Sequence, residues 1–405
     1  MGRAIPTDML TSFDILRQVY RTIRSYINGV KYPVYHKAIS SYEYPSLRLS
    51  HNGSRKVLFL VCWFETGGAE FFAFDRMKFF FANGYKVFAL STEKKGTSRK
   101  ADLFNYCEKV VSLKDDEISD EVTFVLDFVE ENSIDTIYLH HSTLGYKILP
   151  TLKKKFPKLK VVDSLHIIEP IDGGFVHLSG KSTAYIDLHH VISPSLKSYM
   201  IEKFKVNSNK ILYFPLSFMS CDVSFKNEFD NLKNKSLRIV FLGRLVQQKR
   251  PYYFIEIARR LTVEGKKIGI DFCFDIYGDG PLWHITNKTA EKYGLRNLIF
   301  HGEAFDKQMI FRNSYALVLT SENEGIPLVC YEAIRHNTLC FSTNSGQIKD
   351  FLLDDFLVSV YKPNDLVEKI MSSVKSPEFT QALLEKQKQV LKDFDLIYER
   401  NKDIV

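Results

Sequence analysis

The 405 residues suffice for two domains of ordinary size, and 45% hydrophobic with 25% charged residues is the balance of a globular protein with a sizeable core. No apolar run reaches the ~18 residues needed to cross a bilayer, and the opening MGRAIPTDML lacks the long apolar core of a secretory signal. The net charge of +7 is concentrated: residues 1–56 hold nine Lys/Arg against three acids, a surplus of six, so the near-neutral remainder argues against a nucleic-acid-binding body.

The leader, residues 1–55, contains one patterned stretch. From Leu10 to Ile27, apolar residues recur at Leu10, Phe13, Leu16, Val19, Tyr20, Ile23 and Ile27, one face of a helix, while Arg17, Arg21 and Arg24 share another. Asn28-Gly29 supplies a stop. A basic amphipathic helix over 10–28 is suited to an anionic membrane surface. The alternative is that its apolar face packs on the first domain.

From Lys56 the chain alternates strand-like and helix-like segments. KVLFLVCWF reads as a buried strand, GGAEFFAFDRMKFFFANG as a loop and helix closing on Asn83-Gly84, and YKVFALST as the next strand. TIYLHH (136–141), KVVDSLH (160–166), HHVIS (189–193) and ILYFP (211–215) follow, with helices such as SPSLKSYMIEKF between them. This is the rhythm of a parallel α/β sheet. The polar stretch 216–235 reads as a linker, and the first domain is bounded at 56–217.

A second alternating series fills 218–390: LRIVFLG (237–243), DFCFDIYG (271–278), NLIFHG (297–302), YALVLT (315–320) and TLCFST (338–343). PYYFIEIARRLTVEG and PLWHITNKTAEKYG are intervening helices, and a last helix from about Glu378 to Asn401 carries a segment, 391–405, that can return to the first domain. Two doubly wound Rossmann-like domains in tandem are expected to line a cleft with the C-terminal ends of their strands.

Four clusters fall at strand-to-loop transitions. Gly67-Gly68, followed by Ala69-Glu70, lets backbone approach a phosphate or sugar closely; a simple tight turn is the alternative. Gly243-Arg244 with Lys249 offers two cations to a diphosphate through charge-assisted hydrogen bonds; the alternative is a solvated basic loop. Gly278-Asp279-Gly280-Pro281 superficially resembles a dinucleotide loop but lacks GxGxxG spacing and continues through proline; a turn is the alternative. In SENEGIPLVCYEAIRHN, Pro327 marks a helix start, Glu324 sits in the preceding loop, and Glu332 lies one turn inside the helix. Glu322 reads as a solvated loop residue. Amides near Leu328 and Val329 would make an anion site beside two carboxylates, which suits a nucleotide sugar.

His166 ends a predicted strand, and a core histidine satisfied by backbone is its alternative. His140-His141 and His189-His190 invite a metal, but neighbours on a strand point to opposite faces, and no carboxylate or cysteine stands at ligand spacing. The six cysteines show no CxxC pair and read as reduced core residues of a cytosolic protein.

In this order and spacing, GGAE (67–70), GR…K (243–249), YGDGP (277–281) and EGIPLVCYEA (324–333) resemble the family 4 glycosyltransferases, retaining enzymes of the GT-B fold, over roughly Lys56 to Leu396. VVDSLHIIEP, then GGF and ISPSLKSYM, resembles the bacterial surface-polysaccharide transferases of that family. The chain differs from the pattern at Asn337 and Leu339, where a glycine and a proline are usual. It differs again at Gly346-Gln347, in place of a double glycine, and at Asp350, in place of glutamate. These differences bear on the donor pocket and therefore on the sugar.

The resemblance implies transfer of a sugar from a nucleotide-sugar donor to a glycan or lipid-linked acceptor, with retention and without a metal or other cofactor. It implies catalytic roles for Arg244 and Lys249 on the leaving diphosphate, Glu324 on the donor sugar and His166 near the reacting centre. Glu332 would take the ribose hydroxyls, and Leu328, Val329, Gly67, Gly68, Gly243, Gly278, Asp279 and Gly280 would line the donor and nucleotide site. The expected location is cytoplasmic, or peripheral on the inner face of the membrane. A non-catalytic GT-B partner of another transferase, and a GT-B sugar-nucleotide epimerase or phosphorylase, are the other readings. A dinucleotide dehydrogenase lacks its GxGxxG here.

Overall fold

The computed structural model describes residues 55–401 apart from 66, 94–99, 115, 170–172, 214, 216–235 and 305. The amphipathic stretch 10–28 and the expected linker 216–235 therefore lie outside the described residues. Contacts divide the chain into two units between Leu212 and Tyr213.

In the first unit, β1 (Lys56–Val61), β2 (Lys86–Ser91), β3 (Lys109–Ser112), β4 (Thr136–His140), β5 (Lys160–Leu165), β6 (Leu188–Val191) and β7 (Ile211–Tyr213) form one sheet, ordered β3-β2-β1-β4-β5-β6-β7. The pairs β1–β2, β1–β4, β2–β3, β4–β5 and β5–β6 are parallel. The helices are α1 (Gly68–Ala82), α2 (Glu121–Glu131), α3 (Thr143–Lys155), α4 (Gly174–Lys181) and α5 (Pro194–Phe204). Their starts follow local chemistry: Asp120, Ser142 and Ser193 each accept a backbone N–H three residues on, and Pro194 takes a position where no amide is needed. Asn83 and Gly84, the latter at φ +81°, end α1 as the sequence predicts. Leu58, Leu60, Leu90, Ile137, Leu139, Leu149 and Val161 are wholly buried in the core between sheet and helices.

The second unit repeats the plan. β8 (Ser236–Leu242), β9 (Asp271–Tyr277), β10 (Leu298–Gly302), β11 (Ala316–Leu319), β12 (Leu339–Asn344) and β13 (Leu357–Ser359) are ordered β10-β9-β8-β11-β12-β13, again in parallel. The helices are α6 (Pro251–Lys267), α7 (Trp283–Lys292), α8 (Lys307–Arg312), α9 (Leu328–Arg335), α10 (Leu366–Ser373) and α11 (Pro377–Asn401). Ile239, Phe254, Phe274, Ala316 and Ile370 lie at the centre of the core.

Residues 391–401 continue α11 rather than forming a separate segment. Phe394 meets the rings of Tyr331 and Phe351 at 5.9 and 5.2 Å, and both carboxylate oxygens of Asp395 bond the Arg335 guanidinium at 2.8 Å. All of these partners belong to the second unit.

The edge strands β3 and β13 are absent from the sequence reading. Each is only four or three residues long, too short for alternation to register against the flanking polar residues.

In each sheet the strand order reverses once, between β1 and β4 and between β8 and β11. A reversal leaves the two following loops to run in opposite directions, which opens a crevice at the strand C-termini. The strong candidate residues lie beside one of these points or one strand away, on the loop that follows the strand or in the first turns of the next helix.

Candidate functional site

In the second unit, the loops after β8, β11 and β12 converge on Glu324. Arg250 starts the assembly. It adopts a left-handed backbone (φ +47°), is 7% exposed, and donates to the carbonyls of Thr320, Ser321 and Val360 at 2.7, 3.1 and 3.0 Å. Thr320 returns its hydroxyl to the carbonyls of Lys249 and Arg250, both at 2.9 Å. Gln248 joins the same seam, donating to the Asn323 carbonyl at 2.8 Å while its own carbonyl accepts from the Glu322 amide.

This zipper fixes two side chains. Lys249 Nζ donates to Glu324 Oε1 at 2.5 Å, and the Ser321 hydroxyl donates to the same oxygen at 2.6 Å. Glu324 is 5% exposed, and Lys249 is half-buried. Because both contacts fall on Oε1, Oε2 is the oxygen left for a ligand hydroxyl. The third loop closes behind: the Gln347 amide bonds the Glu324 carbonyl at 2.8 Å. A Cβ on Gly346 would stand 2.0 Å from that carbonyl oxygen, so only glycine permits the approach.

Pro327 is the residue before α9, in extended backbone, and Glu332 lies inside the helix as expected. Among the described residues, the amides of Leu328 and Val329 have no acceptor within the protein, whereas Cys330 N–H already bonds the Pro327 carbonyl. Two unpaired amides at a helix start favour an anion. Glu332 is half-buried and paired at 2.8 and 3.1 Å with Lys307, from the start of α8. Burial raises its carboxyl above the ordinary range, and the Lys307 ammonium offsets part of that rise. The sequence reading did not find Lys307.

Arg244 is exposed and is not drawn into the Lys249–Glu324 pair. Gly243 is open, since a Cβ there would meet only Phe241 at 4.0 Å. The glycines of the 278–280 loop differ. At φ +132° and +151°, Gly278 and Gly280 would place a Cβ 2.0 Å from the Gly243 carbonyl oxygen and 2.6 Å from that of Leu245. Asp279 accepts the Leu245 amide through its backbone carbonyl, and its side chain bonds the Gly280 amide at 2.6 Å. These three residues brace the Arg244 loop against its neighbour.

In the first unit, Gly67 precedes α1 in extended backbone, and Gly68 is the first residue of the helix and exposed. The Glu70 carboxylate folds back over Gly67, where a Cβ would meet Oε2 at 2.0 Å. His166 is 6% exposed and is held by a side chain rather than by backbone, its Nε2 lying 2.9 Å from Ser164 Oγ. Burial, then the neighbouring His140, His141 and His190 rings, hold it neutral, well below the usual imidazole range.

The opposite-face argument holds for His189-His190. His189 bonds Asp163, Ser179 and Thr183, while His190 bonds Ser164 on the other side of the sheet. It fails for His140-His141. β4 ends at His140, His141 takes φ +55°, and the turned backbone stacks the two rings 4.9 Å apart, at 4.8 and 5.2 Å from His166. Among the described residues, no group of three or more His, Cys, Asp or Glu is arranged to hold a metal ion. No described helix is long and apolar enough to cross a membrane.

Residues 223–390 match the family model described as glycosyl transferases group 1. The chain is 27% identical over 234 residues to an uncharacterized glycosyltransferase of Methanocaldococcus jannaschii, covering 50% of this chain and 61% of that protein. It is also 27% identical over 219 residues to the GalNAc-alpha-(1->4)-GalNAc-alpha-(1->3)-diNAcBac-PP-undecaprenol alpha-1,4-N-acetyl-D-galactosaminyltransferase of Campylobacter jejuni, covering 53% of this chain and 58% of that protein. The chain thus spans about three fifths of the length of these relatives, 61% and 58%. Its fold is similar to that of Anabaena HepE, solved with UDP and glucose, at a TM-score of 0.67 and 16% identity over 86% of this chain and 98% of that one. Residues 223–390 thus match the group 1 glycosyltransferases, and the chain has the GT-B fold.

Proposed function

We propose that the protein transfers a sugar from a UDP-sugar donor to a lipid-linked glycan acceptor, with retention at the anomeric carbon, in the synthesis of a bacterial surface polysaccharide. The observation that carries this reading is the half-satisfied carboxylate of Glu324, locked through Oε1 to Lys249 and Ser321 beside the free amides of Leu328 and Val329. A carboxylate with one oxygen committed accepts from sugar hydroxyls, while the helix start and the Lys249 ammonium favour the diphosphate next to it. UDP as the nucleotide and a prenyl-diphosphate acceptor are supported by the UDP bound to HepE and by the substrate in the name of the Campylobacter relative.

In the reaction proposed, the bond between the anomeric carbon and the diphosphate oxygen breaks and negative charge grows on the leaving group. Lys249 and Arg244 stabilise that charge electrostatically, without a metal. Glu324 holds the donor sugar so that one face is open, and Glu332 accepts from the ribose. His166 contacts the donor sugar. The departing phosphate oxygen takes the proton of the acceptor hydroxyl on the same face, which yields retention.

The test is a panel of UDP- and GDP-sugars incubated with prenyl-diphosphate-linked saccharides, with product linkage read by NMR. An α-linked product from an α-linked donor, formed in EDTA and reduced about a hundredfold or more by Arg244→Ala or Lys249→Ala, is expected. An inverted product, or activity restored by metal after chelation, overturns the mechanism. Donor conversion without acceptor replaces transfer by epimerisation.

A further inference from the structure

The proposed reaction gives no part to Lys307, although the second unit seats it directly on Glu332. Local structure builds the contact. The Asp306 carboxylate accepts the Met309 amide at 2.9 Å and starts α8, which makes Lys307 the first residue of that helix. At the other end of α8, the Phe311 carbonyl accepts the Thr338 hydroxyl at 2.6 Å, which ties α8 to the segment between α9 and β12. Glu332 follows Leu328 by one turn of α9, so the two share a face. Helical Cβ direction leans its side chain back toward the free amides at the helix start.

Lys307 Nζ lies 2.8 Å from Glu332 Oε1 and 3.1 Å from Oε2, and the two side chains keep 43% and 21% of their surface exposed. Among the described residues, neither side chain has another hydrogen-bond partner. An ammonium carries three N–H donors, and each carboxylate oxygen has two lone pairs. Even with a donor spent on each oxygen, one N–H and one lone pair on each oxygen remain. A vicinal diol is the complement, with two O–H groups for the carboxylate and an oxygen to accept from the ammonium. A lone hydroxyl would leave half of these sites empty. A phosphate brings charge that the carboxylate repels. The Lys307 cation also adds to the positive end of α9 instead of opposing it, which suits a ligand carrying a diol and a diphosphate together.

We propose that Lys307 is a specificity-determining residue that clasps the ribose 2′,3′-diol of the donor together with Glu332. Its ammonium donates to one hydroxyl oxygen while both hydroxyls donate to the carboxylate. This rests on the proposed transfer reaction, in which Glu332 takes the ribose, and adds the residue that makes the site read a diol. Ribonucleotides are then selected over deoxyribonucleotides, and the selection belongs to the pair rather than to Glu332 alone.

The experiment is calorimetric titration of the full chain with UDP, 2′-deoxy-UDP and 3′-deoxy-UDP, with a melting curve for each variant. The guanosine series takes their place if GDP binds and UDP does not. Wild type should bind UDP about tenfold or more tighter than either analogue, since each analogue lacks a hydrogen bond to a charged group. Lys307→Met keeps the stem and loses the donors. It should weaken UDP about tenfold and leave within about threefold the analogue that lacks the hydroxyl met by Lys307. An equal loss for all three ligands would give Lys307 to the diphosphate and overturn the diol. Lys307→Met/Glu332→Leu replaces the pair with apolar side chains and leaves no half-buried charge without its partner. Folded, it should bind the three ligands within about threefold of one another; a preference for UDP of about tenfold surviving there overturns the proposal. Wild type that binds UDP and both analogues alike overturns the diol and leaves the transferase reading standing. Wild type that binds neither UDP nor GDP overturns that reading and the proposal with it.

Discussion

Lys249 and Glu324 meet at 2.5 Å with only 21% and 7% of their side-chain surfaces exposed. The two residues are 75 positions apart, and the pair forms because Arg250, the next residue, pins the end of β11 to the loop after β8. An ion pair this far out of water is expensive to halve, because the surviving charge keeps its burial and loses its partner.

The first prediction is therefore a coupling. Lys249→Ala and Glu324→Ala should each destabilise the second unit, and the double variant should cost less than the sum by about 0.5–3 kcal/mol. Urea unfolding of the four proteins measures it. Additive effects would show that the contact adds nothing to stability.

Glu332 obeys the opposite logic. Its carboxyl is raised above the ordinary range by burial, so the folded protein binds that proton more tightly than the unfolded chain does. Stability from this group is present below the ordinary carboxylate pKa and is lost as pH rises through the raised one. Glu332→Gln should thus melt at a higher temperature than wild type at pH 7.5, with the gain vanishing near pH 4. The same variant should bind UDP roughly tenfold more weakly if the carboxylate serves the ribose. A lower melting temperature at pH 7.5 would mean that the Lys307 pair outweighs burial.

The histidine cluster gives the first unit its own pH response. Burial is the largest cause lowering His140, His141 and His166, and His141 falls to about 4. The unfolded chain takes up these protons near pH 6.5 and the folded unit does not. The contribution to stability is complete above about pH 6.5 and declines on acidification by about 1.4 kcal/mol per pH unit for each histidine. Hydrogen exchange along β4–β6 should accelerate between pH 6.5 and 5 after correction for the intrinsic rate. His140→Phe, which keeps a ring against Phe72, should flatten that slope by about one proton; equal slopes would exclude His140 from it.

Alternation and turn chemistry made most of the framework legible. LRIVFLG and YALVLT are strands because apolar β-formers run between breakers, and Asn83-Gly84 ends α1 because glycine accepts φ +81°. The glutamates 324 and 332 were legible too, one on a loop and one a turn into a helix. What sequence could not give was partnership. Nothing in positions 307 and 332 says that Lys307 will cover Glu332, since the contact depends on how α8 and α9 lie against one sheet. In Lys249-Arg250, two adjacent cations look alike, and only the left-handed backbone at Arg250 sends one into the scaffold and leaves the other for Glu324. The stacked His140-His141 rings were misread for a related reason: strand parity was carried one residue past the end of β4, where φ changes sign.

The glycines provide the last prediction, because two that look equivalent in sequence have opposite surroundings. Gly278 has φ +132°, and a Cβ there would stand 2.0 Å from the Gly243 carbonyl oxygen, a backbone atom that cannot rotate away. Gly243 has no positive φ, and nothing but Phe241 at 4.0 Å would meet its Cβ. Gly278→Ala should therefore destabilise the second unit by about 2 kcal/mol or more, since strain and backbone overlap add. Gly243→Ala should change stability by no more than about 0.5 kcal/mol. Its new methyl instead occupies open space beside Arg244, where the diphosphate is proposed to approach, so UDP affinity should fall while the melting temperature holds. Melting curves and UDP titrations on both variants separate the roles. A stable Gly243→Ala that binds UDP like wild type would move the diphosphate away from this loop, and a Gly278→Ala that melts like wild type would mean the 278–280 loop yields where its backbone now braces the loop of Arg244.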